Sequence, residues 1–379
     1  MKWSINSNQN RDTVIELADI VRAYGKDYLA KFGSRMLTSH KRALKDILIC
    51  RTELCGGHVY QCPDHDQRVY KYHSCLNRHC PKCQNDQSQN WLIKERKRLI
   101  KISYFFLTFT LPKQLRPIAR SNQRLFYNLM FTISYNALKK LALDPRFVGG
   151  LIGALSVLHT WKRNLDFHPH VHLLVPAGGV SEDQTTWLPA QKKFFVPVKA
   201  LSKIFRGMMR DALKKADPDL FADIPKKVWR SDWVVHCKAV GSGEAVLKYF
   251  APYIYRIGIS NKRIIKLEHG QVTFCYKDSN SKQWKPITVH VFEFLRRYLQ
   301  HVLPKGFKKV RHYGLLSSKH KLLLTAIQYA LGTVEPLPEE EEKKQSRPCC
   351  PICGKEMDLI MMIEPDRRAE ITLEQLIPP

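Results

Sequence analysis

Apolar residues recur every three or four positions from about residue 12 to residue 31, in DTVIELADIVRAYGKDYLAK, and this spacing predicts an amphipathic helix. A second helix is predicted from His40 to Cys50. Between Cys50 and Cys83 the periodicity fades into a stretch rich in His, Cys, Gly and Pro, with too few large apolar side chains to fold without a staple. Trp91 to Leu99 is strongly basic and predicted helical. At Tyr104 the pattern changes: YFFLTFTL, ended by Pro112, reads as a buried strand.

A long helical pattern is predicted from Leu115 to Leu143. Gly149 to Trp161 then reads as a second strand and HVHLLVPAGG as a third, joined by the short KRNLDF as an antiparallel hairpin. Val198 to Ala216 carries one apolar stripe of a helix, and Trp233 to Ala239 reads as another strand. GEAVLKYFAPYIYR, Gly243 to Arg256, starts as a helix that Pro252 kinks or divides. Lys262 to His290 supports two or three strands, and HVFEFLRRYLQHVL is helical to Leu303. The expected fold class is α+β, an antiparallel sheet flanked by helices and preceded by a small zinc-binding domain. The expected division is a helical and zinc-binding unit at 1–99, a catalytic unit at 100–334, a charged linker at 335–348 and a small tail at 349–379.

Composition narrows the partners. A hydrophobic fraction of 44% with 10% aromatics is that of a folded globular chain. The charge is unusual, with 62 Lys and Arg against 34 Asp and Glu, a net +28. That surplus points to a polyanionic partner, nucleic acid before a membrane surface. No apolar run of about 18 residues spans a bilayer. The first residues lack the basic-then-apolar order of a signal peptide, so the expected setting is the reducing cytoplasm, at the nucleoid. Eleven cysteines there read as metal ligands rather than disulfides, the more so because six lie between Cys50 and Cys83 and three between Cys349 and Cys353.

Cys80 and Cys83 in CPKC, and Cys62 and His65 in CPDH, each place two ligands three residues apart, which lets a tight turn aim both at one tetrahedral zinc. The expectation is one Cys3His site from these four. A second zinc would draw on Cys50, Cys55, His58, His73, Cys75 and His79, unless some of these are buried small side chains. Arg51, Arg68, Lys71, Arg78 and Lys82 are available for phosphates. CCPICG, Cys349 to Gly354, repeats the spacing with no second half downstream and reads as a knuckle at most.

His168, His170 and His172 alternate in FHPHVHLLVPAGG, so on a strand they project from one face. Imidazoles so placed suit a divalent metal that leaves positions open for a phosphate oxygen. A third ligand is needed, and His159 and His168 are the nearest candidates. The structural alternative is the polar face of a strand. A metal that activates phosphorus also needs a nucleophile. Tyr249 and Tyr253 lie four apart, on one helix face, with Lys248 and Arg256 beside them to stabilise charge on oxygen. Taken without the histidines, such tyrosines are more often core. Trp161, Phe167, Tyr255 and Tyr313 are candidate platforms for unpaired bases.

Together, HPHVH, the downstream YFAPYIYRIGISNKRI, the upstream YFFLTFTLP and the Cys50 to Cys83 segment resemble the insertion-sequence-91 transposases, a branch of the HUH single-strand endonucleases. The resemblance runs from about residue 15 to Leu316. It implies a ferredoxin-like core and a Mg²⁺- or Mn²⁺-dependent nick through a 5′-phosphotyrosine. His170 and His172 fall on the metal-binding pair, Tyr249 and Tyr253 on the paired tyrosines. The implied partner is single-stranded DNA at element termini and target sites, with Arg51, Arg78, Lys248, Arg256, Arg263 and Arg311 as its contacts and a homodimer allowed. His65 stands where the family usually has cysteine, and Cys55 is an addition. A plasmid-type replication initiator or relaxase and a non-catalytic zinc-dependent nucleic-acid-binding protein are the rival readings.

Overall fold

The structure, a computed structural model, describes residues 14–83, 91–191, 194–242, 247, 258–278, 281–333, 347–366 and 373–377. The expected mixed α+β architecture of antiparallel sheets flanked by helices is present. In the N-terminal region, α1 (Leu17–Phe32) and α2 (Thr38–Ile49) precede a hairpin of β1 (Gly57–Gln61) and β2 (Arg68–Tyr72). The main sheet contains β3 (Ser103–Thr110), β4 (Gly153–Trp161) and β5 (Phe167–Pro176). β6 (Gly178–Val180) and β7 (Trp187–Pro189) form a small side ribbon, and β8 (Val235–Ser242) returns to the main sheet. A separate three-stranded sheet follows from β9 (Ile264–Glu268), β10 (Gln271–Lys277) and β11 (Trp284–His290), in the order β11-β10-β9.

The main sheet is completed by β12 (Val310–Gly314), in the order β12-β4-β5-β3-β8, with every neighbour antiparallel. Alternation along its strands decides what each face does. Phe105, Leu107 and Phe109 of β3 and Val171, Leu173 and Val175 of β5 face one way. There they meet α3 (Gln123–Ala142) and α4 (Val198–Ala216), which supply Phe126, Met130, Phe131, Phe205 and Met209. Residues of the other parity, Tyr104, Phe106, Leu155, Val157 and Leu174, face the opposite side and pack with Leu324 and Ile327 of α6 (Lys321–Ala330). α6 follows α5 (Val291–Leu299), whose Val291, Phe294 and Leu295 join α1, α2 and the β9–β11 sheet in a second core. The β5 histidines share the parity of Leu174, so they stand on the face that α3 and α4 leave uncovered.

Three local expectations change. The helix from Leu115 to Leu143 is two, Arg116–Ser121 and α3, because Asn122 adopts φ −119°, ψ 46° and its Nδ2 donates to the Ile118 carbonyl at 3.1 Å. Side-chain bonding of this kind competes with the helix's own ladder. The second strand starts at Gly153 rather than Gly149, whose φ of 77° favours glycine. No strand is predicted after Leu303, yet Val310–Gly314 pairs with β4. An edge strand with basic side chains lacks the apolar alternation that marks a buried one.

Candidate metal centre and nucleic-acid interface

The hairpin register places His159 of β4 opposite His170 of β5 and Val157 opposite His172. A register shift between His159 and Trp161 re-aims the end of β4 next to the site. The result is a cluster of His159, His170 and His172 whose ligating nitrogens all lie within 4.8 Å of one another. Ring centroids of His159 and His172 are 4.7 Å apart and those of His170 and His172 4.7 Å, both pairs nearly perpendicular. Of the two candidates for a third donor, the fold brings in His159. The His168 ring lies 5.2 Å from that of His170, tilted against it, but stays outside the group, and its buried Nδ1 has no hydrogen-bond partner among the described residues.

Neighbours orient the donors. His170 Nδ1 lies 2.7 Å from the His168 carbonyl, which can only accept, so Nδ1 carries the proton and Nε2 the lone pair. Thr108 of β3, opposite His172 in the register, holds His172 Nδ1 at 2.9 Å through Oγ1. Sequence reasoning did not single out Thr108. Its place in YFFLTFTL, one residue from both Leu107 and Phe109 and so on the face opposite them, was the available signal. Burial pushes His170 down to about 4 and His168 to about 3, and holds His172 well below the usual imidazole range. Neutral imidazoles at pH 7 are the form that donates to a metal.

The histidines line two depressions. One, about 520 Å³, is lined by Lys162, Arg163, Arg263 and Lys277 with Asp278; the other, about 500 Å³, by Lys113, Arg116 and His236 with Asp232. His168, His170 and His172 belong to both, so the imidazoles form the floor of one basic trough. Such a trough suits a phosphate backbone laid across the metal site.

The other expected DNA contacts are placed unequally. Arg51 is exposed, with φ 61° and a long bond to the Lys82 carbonyl at 3.4 Å. Arg263 lines the trough while donating to the carbonyls of Cys275 and Gly258, at 2.7 and 3.0 Å. Arg78 and Arg311 each have partners within the chain. Arg78 donates to the carbonyls of Phe307 and Pro304, so it ties a turn. Arg311 bonds Asn128 and lies over the rings of Phe131 and Phe307, at 4.4 and 5.2 Å. Tyr249, Tyr253, Tyr255, Lys248 and Arg256 lie outside the described residues. Of the proposed base platforms, Tyr313 stacks on Tyr135 at 4.8 Å and Trp161 on His159 at 4.9 Å, with Lys309 Nζ 4.9 Å over the Trp161 ring. Those faces are already used.

The cysteines also pair differently from the expectation. Cys50, Cys75, Cys80 and Cys83 form one cluster; Cys62 and His65 meet Cys350 and Cys353 in another. The CPKC and CPDH turns therefore do not share a metal. CPKC closes on Cys50 at the end of α2 and on Cys75, with Cys50 and Cys75 sulfurs 3.3 and 3.5 Å from Cys83, whereas CPDH sits at the far end of β1. His58 lies on β1 against His73, at 4.9 Å between centroids, outside both clusters. Cys55 donates to the Ile49 carbonyl at 3.1 Å. The segment after Cys349 does not stand apart: β13 (Asp358–Ile363) adds to the free edge of β1. No described helix is long and apolar enough to cross a membrane.

Buried neutral imidazoles have a consequence for stability. The unfolded chain binds protons near pH 6.5, whereas native His301 does so only near 4, because burial lowers it. Stability from this group is level above about 6.5 and falls as the pH drops through that window. At pH 5 His301, 5% exposed, alone costs about 2 kcal/mol. Thermal melts at pH 7.5 and pH 5 should show the decrease, and His301→Asn should shrink it; equal melting temperatures would contradict this account.

Comparison with known proteins agrees with the layout. Residues 153–322 match a family described as a putative transposase, and residues 20–111 match a transposase zinc-binding domain. A "Putative transposase y4qJ" from Sinorhizobium fredii is 38% identical over 346 residues, 86% of this chain and 87% of the relative. The "Transposase for insertion sequence element IS801" from Pseudomonas savastanoi pv. phaseolicola is 29% identical over 297 residues, 72% of this chain and 69% of the relative. No solved structure matches the chain. With the imidazole cluster in the first matched region and the Cys50 to Cys83 segment in the second, the chain belongs to the IS91/IS801-type family of HUH transposases with a zinc-binding domain.

Proposed function

We propose that this transposase nicks and rejoins single-stranded DNA at the ends of a mobile element, through a 5′-phosphotyrosine on Tyr249 or Tyr253 and on the ferredoxin-like core of the HUH class. The observation that carries the reading is the His159, His170 and His172 cluster on the floor of a basic trough. Its donors fit a divalent metal: three imidazole nitrogens converge, and His170 and His172 are oriented through Nδ1 by neighbouring oxygens. When bound there, Mn²⁺ or Mg²⁺ supplies Lewis-acid polarisation of a phosphate oxygen.

The chain's own groups do the rest. Lys162, Arg163 and Arg116 hold the strand by its phosphates, so that one phosphodiester lies over the imidazoles. The tyrosine Oη, giving up its proton, attacks phosphorus. A P–O bond to tyrosine forms, the P–O3′ bond breaks, and the 3′ oxygen leaves to become a hydroxyl. Reversal with a different 3′ hydroxyl rejoins DNA and frees the tyrosine. The flanks of the tyrosine segment favour this assignment. Leu247 packs with Leu155, Val157 and Leu174 on the histidine face of the sheet. Gly258 shares a small cavity with Trp161, whose ring stacks on His159. Two tyrosines would let one chain hold two strands in turn.

The test is cleavage of labelled single strands that carry the native element ends. Protein with Mn²⁺ should yield a free 3′ hydroxyl product and a protein-linked 5′ product, and EDTA should stop both. An all-imidazole donor set suits Mn²⁺ better than the oxygen-seeking Mg²⁺, so half-maximal cleavage should need about tenfold less Mn²⁺. Cleavage that persists in EDTA would sink the metal assignment.

A further inference from the structure

Residues 347–366 lie beyond both matched regions, yet they supply half of the second sulfur-rich cluster. We propose that Cys62, His65, Cys350 and Cys353 hold a structural zinc that clasps the C-terminal segment onto the N-terminal module. Cys62 and Cys353 are 291 positions apart in sequence, and their sulfurs are 3.6 Å apart. His65 Nδ1 lies 3.5 Å from the Cys62 sulfur. A tetrahedral zinc with bonds of about 2.3 Å to sulfur and about 2.0 Å to nitrogen sets its ligands about 3.5–3.8 Å apart. The spacing is that of a zinc site; a disulfide would have no use for the imidazole.

The two halves have the same local build. The Cys62 sulfur accepts backbone N–H groups of Asp64 and His65, and the Cys350 sulfur those of Ile352 and Cys353. Each turn is closed by its first cysteine's own amide, Cys62 to the Gln67 carbonyl at 3.0 Å and Cys350 to the Lys355 carbonyl at 2.8 Å. Gly354, at φ 74°, permits the turn after Cys353. Lys355 bridges to Asp64 at 2.5 Å across the facing turns. The apolar cluster at the ligands is small, Tyr60, Cys62, Cys350 and Met357, with Val59 of β1 buried nearby, while Leu373 and Ile377 pack into the core of α1 and α2, so the clasp acts on 347–366 rather than on the whole C-terminal end.

The clasp has a functional corollary. Cys353 is exposed, whereas three of the four ligands of the other cysteine cluster are buried. A chelator or an oxidant therefore reaches the clasp first. Its loss frees β13 from β1 and leaves the Cys50, Cys75, Cys80 and Cys83 cluster closed.

The test is zinc content of the full-length chain, with His170 and His172 replaced by Ala so that imidazoles there add nothing. Cys353→Ser and Cys350→Ser should each lose one zinc per chain, and Cys353→His should keep it. Cys349→Ser, which alters an exposed neighbour outside the cluster, should keep it too. Amide exchange should lose its protection across 358–363 in the Ser variants. Should those variants misfold, zinc X-ray absorption on the parent decides: one site of four sulfurs and one of three sulfurs with one nitrogen is expected. An all-sulfur shell, or unchanged zinc in Cys353→Ser, overturns the clasp. This inference stands apart from the nuclease reading, since cleavage assays do not enter its test.

Discussion

Replacing His170 and His172 together with alanine should lower metal-dependent cleavage of single-stranded DNA by about 10³-fold or more, with binding of uncleaved DNA nearly unchanged. Polarisation of a phosphoryl oxygen is worth several kcal/mol, and each 1.36 kcal/mol is tenfold in rate. The double variant removes two of three clustered donors and leaves the rim of Lys162, Arg163 and Arg116 in place. Thr108→Val is the informative companion. It deletes only the hydroxyl that holds His172 Nδ1, so metal affinity should fall by about 10- to 100-fold while saturating metal restores the rate. A double variant that cleaves within tenfold of the parent would remove the histidines from the chemistry.

The largest expected effect on stability lies at Cys80. Its side chain is fully buried in the core that α1 and α2 share with α5 and the β9–β11 sheet. The same turn presents the His79 carbonyl to the Tyr298 hydroxyl, and His79 Nε2 receives the Leu303 amide at 3.3 Å, so it fastens the N-terminal region to the segment around α5. Where a metal closes such a site, its binding free energy is folding free energy. Cys80→Ser should therefore destabilise this region by on the order of 5 kcal/mol and release its zinc. Calorimetry with zinc analysis reads both. The pairing is tested at the same time: Cys80→Ser should leave the Cys62 cluster loaded, whereas a site shared by CPKC and CPDH would lose its metal with Cys80.

The histidine strand was legible because its information is local. A period of two puts His168, His170 and His172 on one face of any strand, and the register of a short hairpin brings His159 opposite His170. Thr108 needed the third strand's register, which no local pattern sets. The cysteines show the same limit more sharply. C-x2-C spacing identifies half of a zinc site but not its other half, and here CPDH finds its partner at Cys350 and Cys353. A tail with no second half downstream had one upstream. For Arg78 and Arg311, charge in the sequence did not reveal the partners each holds inside the chain, backbone carbonyls for one and the Phe131 ring for the other. β12 was hidden by its basic side chains, and the break at Asn122 by a single side-chain hydrogen bond.

The central claim is that a tyrosine of YFAPYIYR becomes covalently joined to DNA over the imidazole cluster. Its most direct measurement is mass spectrometry of tryptic peptides after reaction of the full chain with Mn²⁺ and single-stranded element ends. A nucleotide adduct on Tyr249 or Tyr253, absent from the His170→Ala, His172→Ala double variant, is the predicted result. Cleaved DNA with a free 5′ phosphate and no modified tyrosine at any time point would contradict it, and would mean that water rather than the chain attacks phosphorus.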